Sequence, residues 1–420
     1  MSNKKLAVFI DGTWNSADQK TCQGKPCPTN ITKLFEATLP RSRENQLHQI
    51  AHYVRGVGTR KLERLQGGGF GYGISDNIKE AYQFLVSNYE PGDDIYIFGF
   101  SRGAYAARSL AGMIRNVGLL KREKLIFMEE AYQKYKDDRD PDWHPNGEEA
   151  KAFRDNHTWG DVTIKFLGVF DTVGSLGAPF GLVLGWIVNK IFNCSFHDTQ
   201  LSAIVESAYH ALAVDEFRLP FMPTLMTRNA QDKQANFEQK WFPGVHSDIG
   251  GGYPNTGLSD LALEWMADKA GKHGLSLDLQ KIANPAFAPD VKDSLNHSQT
   301  WFYRITSVLW VKLPGYIGLI PEKYKSALSN IGWNGDYIRP IDNKGDVAQF
   351  IGNPTLNQDL AQYIGDLHLS VIDKIKECEN QYLPVNVIDN RGSHSLSLAA
   401  RIGRLLDKPL TARANAVLEK

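Results

Sequence analysis

Neither sign of charge dominates this sequence: 47 Lys and Arg balance 47 Asp and Glu over 420 residues. A broad basic field that would steer nucleic acid or anionic lipid is therefore missing, and any membrane contact has to be apolar or local. Cysteine is scarce, and four residues in this length form no disulfide framework. The apolar run Leu6–Ile10 near the N-terminus is too short for a signal-peptide core, and no small-residue cleavage site follows it. Cytoplasmic synthesis is expected. The glycine-rich stretch 67–73 lacks the Lys-Ser/Thr of a phosphate-binding loop, which argues against nucleotide binding and leaves a flexible substrate loop or a plain connector. Cys22 and Cys27 have no second ligand pair for a structural metal site, so free thiols are expected, or a small disulfide loop only after export. No metal or organic cofactor is expected. Repeats and low-complexity tracts are also lacking. What remains is an ordinary globular composition, large enough for one α/β core with insertions.

The informative stretch is Asp94-Ile-Tyr-Ile-Phe-Gly-Phe-Ser-Arg-Gly-Ala104, an apolar run that enters Gly-x-Ser-x-Gly and then a small-residue helical pattern. Between a strand and a helix this pentapeptide is a nucleophile elbow. The turn is tight enough to demand Gly99 and Gly103, and it holds Ser101 clear of the sheet at a helix N-terminus. Backbone N–H groups there can face a developing oxyanion. Ser101 is the candidate nucleophile and the Arg102 N–H a candidate oxyanion donor.

A serine nucleophile needs a base and an acid. Ile164–Gly174 reads as the next strand, delivering Asp171, and an acid at a strand C-terminus can orient a histidine. Phe237–Val245 reads as a strand delivering His246 into the glycine-rich loop Gly250–Gly252. Ser101, Asp171 and His246 follow one another in hydrolase order. Asp215, closing another apolar segment, competes for the acid role. Asp248 is a further alternative, although it lies too close along the chain to align His246 easily. His210, inside that apolar segment, reads as a core histidine.

Leu6–Ile10 suits a strand buried on both faces, and the loop Asp11-Gly-Thr-Trp-Asn15 after it is a candidate active-site loop. Gly12 and Thr13 are expected to donate one oxyanion N–H, with Asp11 shaping the loop or acting as a turn residue. A haloacid-dehalogenase reading fails, because the position two residues before Asp11 is Phe9. From Thr172 to Asn189 there is no charge, with Gly177, Gly181 and Gly185 spaced by four. A buried helix, a lid or membrane-contacting surface, and a short span all fit that stretch. A second aromatic and apolar patch lies at 301–320.

Taken together, the stretches 9–15, 99–104, 169–174, 210–216 and 241–253 resemble a bacterial and fungal α/β-hydrolase domain family. That family includes the first group of type VI secretion lipase effectors, which act as phospholipases. The resemblance spans about residues 5–270. It implies a Ser-Asp-His hydrolase carrying its triad on Ser101, Asp171 and His246, a phospholipid or other acyl-ester substrate, and export by a contact-dependent secretion system. A secretion-apparatus or immunity protein would be a partner. The expected fold is an α/β-hydrolase-like, doubly wound, mostly parallel sheet with helical insertions and a mixed C-terminal region. The core would occupy 1–290, with an apolar lid-like insertion at about 172–200, and a mainly helical region would occupy 291–420. The patches 172–194 and 301–320 are the candidate membrane contacts. A non-lipid carboxylesterase or thioesterase on the same triad, or a non-catalytic binding module of the same fold, remains an alternative.

Overall fold

A computed structural model of the chain describes residues 4–57, 70–174, 201–227, 236–298 and 370–374, apart from one or two positions at a time within these ranges. The lid-like insertion, the patch at 301–320 and nearly all of the C-terminal region lie outside the described residues.

Six parallel strands form the central sheet: β1 (Lys4–Ile10), β2 (His48–Val54), β3 (Asp94–Phe100), β6 (Phe166–Phe170), β7 (Ser207–Ala213) and β8 (Asn236–Phe242). Their order is β2-β1-β3-β6-β7-β8. The chain moves from β1 out to β2, then returns to the other side of β1 for β3. Such a reversal opens a crevice at the carboxyl ends of β1 and β3, where open α/β sheets carry their sites.

Strand alternation explains the two-sided core. Leu6, Val8 and Ile10 join Ile95, Ile97, Leu167 and Val169 on one face, under α2 (Phe70–Asn88) and α3 (Arg102–Val117). Ala7 and Phe9 join Tyr96, Phe98, Phe100, Phe166 and Phe170 on the other, under α1 (Asn30–Ala37) and a helix at Gly257–Lys272. The second face is an aromatic ladder across four strands. Phe9 stacks on Phe98 at 5.0 Å, Phe98 meets Phe166 at 5.3 Å, and Phe166 stacks on Tyr209 at 5.2 Å.

Some elements differ from expectation. Helix α2 starts at Phe70, so part of the glycine-rich stretch is helical and not loop. Helix α1 is too short for a clear periodic signal; Thr29 caps it by accepting from the Thr32 N–H. Residues 119–159 build a small lobe. Strands β4 (Leu119–Leu120) and β5 (Thr158–Trp159) pair antiparallel around α4 (Met128–Lys136) and α5 (Glu148–His157), burying Trp143 and Phe153. After β8 the chain enters a short helix, α6 (His246–Gly250), before α7 (Gly257–Lys272). His246 therefore opens a helical turn and does not sit in a glycine loop.

Lys33 of α1 and Asp260 of α7, both fully buried, meet at 2.5 Å. Asp260 also accepts from Thr256 Oγ1 and from the Ala288 N–H, each at 3.0 Å. Removing one partner strands the other charge in the interior. Lys33→Met should therefore lower unfolding stability by about 3–5 kcal/mol in urea titrations.

Candidate active site

Ser101 sits between β3 and α3 at φ 58° and ψ −122°, outside the ordinary range for an L-residue. Sterics explain its neighbours. A Cβ on Gly99 would stand 2.5 Å from the Gly103 carbonyl oxygen, and one on Gly103 would stand 2.3 Å from the carbonyls of Ile10 and Asp11. Helix α3 can thus start directly against the end of β1, which presents the serine at the sheet's carboxyl edge. The Ser101 N–H is held by the Phe170 carbonyl at 3.0 Å.

Asp171 follows β6 directly, fully buried and at φ 37°. One carboxylate oxygen accepts from the Ala213 N–H at 3.0 Å, and the other lies 2.6 Å from His246 Nδ1. A proton on Nδ1 satisfies that contact and leaves Nε2 with its lone pair. Burial pushes the His246 pKa below 6.5, opposed by the Asp171 hydrogen bond and charge. The imidazole is thus neutral near pH 7 and able to take a proton. Phe100, the residue before the serine, packs its ring 4.6 Å from the imidazole.

The other expected acids are engaged elsewhere. Asp215 Oδ2 accepts from the Gly244 N–H at 2.7 Å, which fixes the turn ahead of α6. Asp248 takes the Val245 N–H at 3.1 Å and Asn296 Nδ2 at 2.6 Å. His210 is a core residue: Nε2 accepts from the Thr172 N–H at 3.1 Å, and Nδ1 donates to Gln239 Oε1 at 2.9 Å.

Asp11 proves to be a buried hub. Its Oδ2 accepts from Tyr53 OH at 2.6 Å and Thr29 Oγ1 at 2.7 Å, while Oδ1 accepts from the Gly12 N–H at 2.7 Å. The Gly12 N–H, expected to face an oxyanion, is donated inside the loop to Asp11 Oδ1. Of the two loop residues named from the sequence, Thr13 is left. Its side-chain hydroxyl is buried without a partner among the described residues, as is that of Thr172 just after β6.

One cluster was not anticipated. Buried Glu216 accepts the His246 N–H at 3.2 Å, Ser298 Oγ at 2.9 Å and a two-point contact from Arg218 at 2.8 Å. Arg218 lies 3.5 Å over the Phe221 ring, which packs edge-on to His246 at 4.9 Å. Only the acid pair Asp215-Glu216 signalled it, and their long-range partners were not visible. Cys27 is a buried free thiol whose pKa is raised by burial. Among the described residues no group of His, Cys, Asp or Glu is arranged to hold a metal ion, and no helix is long and apolar enough to cross a membrane.

Residues 4–269 match the model of the type VI secretion system phospholipase effector Tle1-like catalytic domain. The chain belongs to this family. An uncharacterized protein of Saccharomyces cerevisiae is 32% identical over 257 residues, covering 54% of this chain and 34% of its own length. The chain thus spans about a third of the length of this curated relative. A crystal structure of an uncharacterized protein from Pseudomonas aeruginosa aligns with 98% of this chain and 63% of its own, at 17% identity and a TM-score of 0.36.

Burial raises the Asp11 carboxyl from 3.8 to about 6, against the pull of its hydrogen bonds. Between those values the folded state holds more protons than the unfolded chain. The stabilising contribution is full below pH 3.8 and is lost as pH rises through about 6. Asp11→Asn removes this titration. From about pH 4 to about pH 7, wild type should lose on the order of 3 kcal/mol relative to Asp11→Asn in denaturant titrations.

Proposed function

We propose that this chain is a serine ester hydrolase acting on phospholipids, cleaving the acyl ester as a phospholipase A does. The observation that carries the reading is the buried 2.6 Å contact of Asp171 with His246, on the sheet edge where Ser101 occupies a strained elbow. Family membership supports the lipid substrate, since the matching family is one of phospholipase effectors.

His246 Nε2 takes the Ser101 proton as Oγ bonds to the acyl carbonyl carbon. Asp171 holds the ring tautomer and stabilises the imidazolium. The N–H groups of Arg102 and Thr13 face the developing oxyanion, each contributing on the order of 3 kcal/mol. As the tetrahedral species collapses, the bond to the lysophospholipid oxygen breaks and that oxygen takes the proton from Nε2. Water, deprotonated by His246, then attacks the acyl-enzyme; the fatty acid leaves and Ser101 regains its proton. Asp215 and Asp248 take no part, being committed to backbone and Asn296 contacts around the His246 turn. Delivery to a target membrane by a contact-dependent secretion system follows from the same family.

Lipid profiling of phospholipid vesicles treated with wild type should yield fatty acid and lysophospholipid, and Ser101→Ala should yield neither while unfolding at the wild-type midpoint. Turnover of soluble esters with no action on vesicles would replace the lipid reading with a general esterase. Asp171→Asn should lower kcat by about 10⁴, whereas Asp215→Asn should cost less than about tenfold if only local packing suffers. Because burial holds the His246 pKa below its usual value, kcat/KM should fall on acidification through an apparent pKa under 6.5.

A further inference from the structure

We infer that the side-chain amide of Asn15 is an oxyanion donor, completing the hole that the loop after β1 leaves short of backbone N–H groups. The inference rests on the reading of Ser101 as nucleophile. In that reading the tetrahedral oxygen develops between the start of α3 and the 11–15 loop. An effective hole needs preorganised donors within about 3 Å of that oxygen. Beside the Arg102 and Thr13 N–H groups, the Gly12 N–H adds no further backbone donor, being already donated to Asp11 Oδ1 at 2.7 Å. It cannot serve the oxyanion without breaking a buried bond to a carboxylate.

Asn15 stands beside the vacancy. The point where a Cβ of Gly12 would lie is 2.8 Å from Asn15 Nδ2 and 3.3 Å from Ser101 Cβ, so amide and nucleophile flank the same side of Gly12. The position has no room for a side chain of its own, which keeps the two groups together. The Asn15 backbone is pinned on both sides: its N–H donates to the Gly12 carbonyl at 3.0 Å, and its carbonyl accepts the Gly56 N–H at 3.0 Å. Its side chain has no hydrogen-bond partner among the described residues. A carboxamide on a fixed backbone, next to the nucleophile and with both N–H bonds unspent among the described residues, is preorganised for a charge that appears only during reaction. Preorganised donors of this type lower the barrier without tightening ground-state binding.

The test compares wild type, Asn15→Ala and Asn15→Asp on a soluble p-nitrophenyl ester and on phosphatidylcholine–phosphatidylglycerol vesicles. A trifluoromethyl ketone serves as a tetrahedral mimic, and unfolding midpoints report on the fold. Asn15→Ala should lower kcat by about 10²–10³ with KM changed less than about threefold. Affinity for the ketone should fall in parallel. Asn15→Asp is nearly isosteric and keeps both backbone bonds. It should fold like wild type yet turn over more slowly than Asn15→Ala, because its carboxylate would face the oxyanion. A kcat within about threefold of wild type in Asn15→Ala would overturn the assignment. So would an Asn15→Asp enzyme as fast as Asn15→Ala or faster, or unchanged ketone affinity in both. Ser101→Ala in the same assays separates the two readings. If Ser101→Ala is active, the nucleophile reading fails and takes this one with it. If Ser101→Ala is dead and both Asn15 variants turn over like wild type, only the Asn15 assignment falls.

Discussion

A serine backbone at φ 58° costs on the order of 1–3 kcal/mol and persists only where its surroundings leave no alternative. Here the surroundings are the carbonyls of Ile10 and Asp11, which approach Gly103 too closely for any side chain, and the start of α3, which does the same to Gly99. Strand β1, strand β3 and helix α3 are thereby locked into one corner. The 11–15 loop is brought against Ser101 by the same contact. The neighbouring strand β6 fixes the corner from the other side, through the Phe170 carbonyl on the Ser101 N–H and the Ser101 carbonyl on the Val173 N–H.

Electrostatics at this corner depend on how thoroughly water is removed. Desolvation alone would make an isolated Asp171 costly, yet the carboxylate has a backbone N–H on one oxygen and an imidazole on the other. Burial lowers the His246 basicity while the Asp171 hydrogen bond and charge restore part of it. Glu216 adds a restraint from behind by binding the His246 N–H, and Arg218 neutralises that glutamate so it does not act as a second bare charge near the ring. The arrangement resembles the support that a side-chain constellation needs if its geometry is to hold within fractions of an ångström.

Much of this was legible because local sequence and long-range geometry agree. Alternating apolar strands such as Leu6–Ile10 and Ile95–Phe100 state their period directly, and the order Ser101, Asp171, His246 matches the order of strand ends along the sheet. Elements with a weak signature were missed or misplaced. Helix α1 has only eight residues, and the start of α2 is masked by glycines that read as a loop. The turn after β8 looked like a glycine-rich loop because Gly250–Gly252 sit at the end of α6, and helix and loop are not distinguished over five residues.

The sequence by itself determined the parallel α/β class, the elbow at Ser101 and the candidacy of Asp171 and His246. Those features are written in apolar period, glycine spacing and chain order, all of which are local or one-dimensional. Which of three acids meets His246 was decided only by tertiary structure. Asp171, Asp215 and Asp248 all stand near strand or turn ends, and the choice depends on which strand lies beside which and on where each carboxylate finds its donors. The spending of the Gly12 N–H on Asp11, the Glu216–Arg218 support and the placement of Asn15 beside Ser101 belong to the same category. Each is a contact over atoms a few ångströms apart, and hydrogen bonding is satisfied by geometry that no residue spacing encodes.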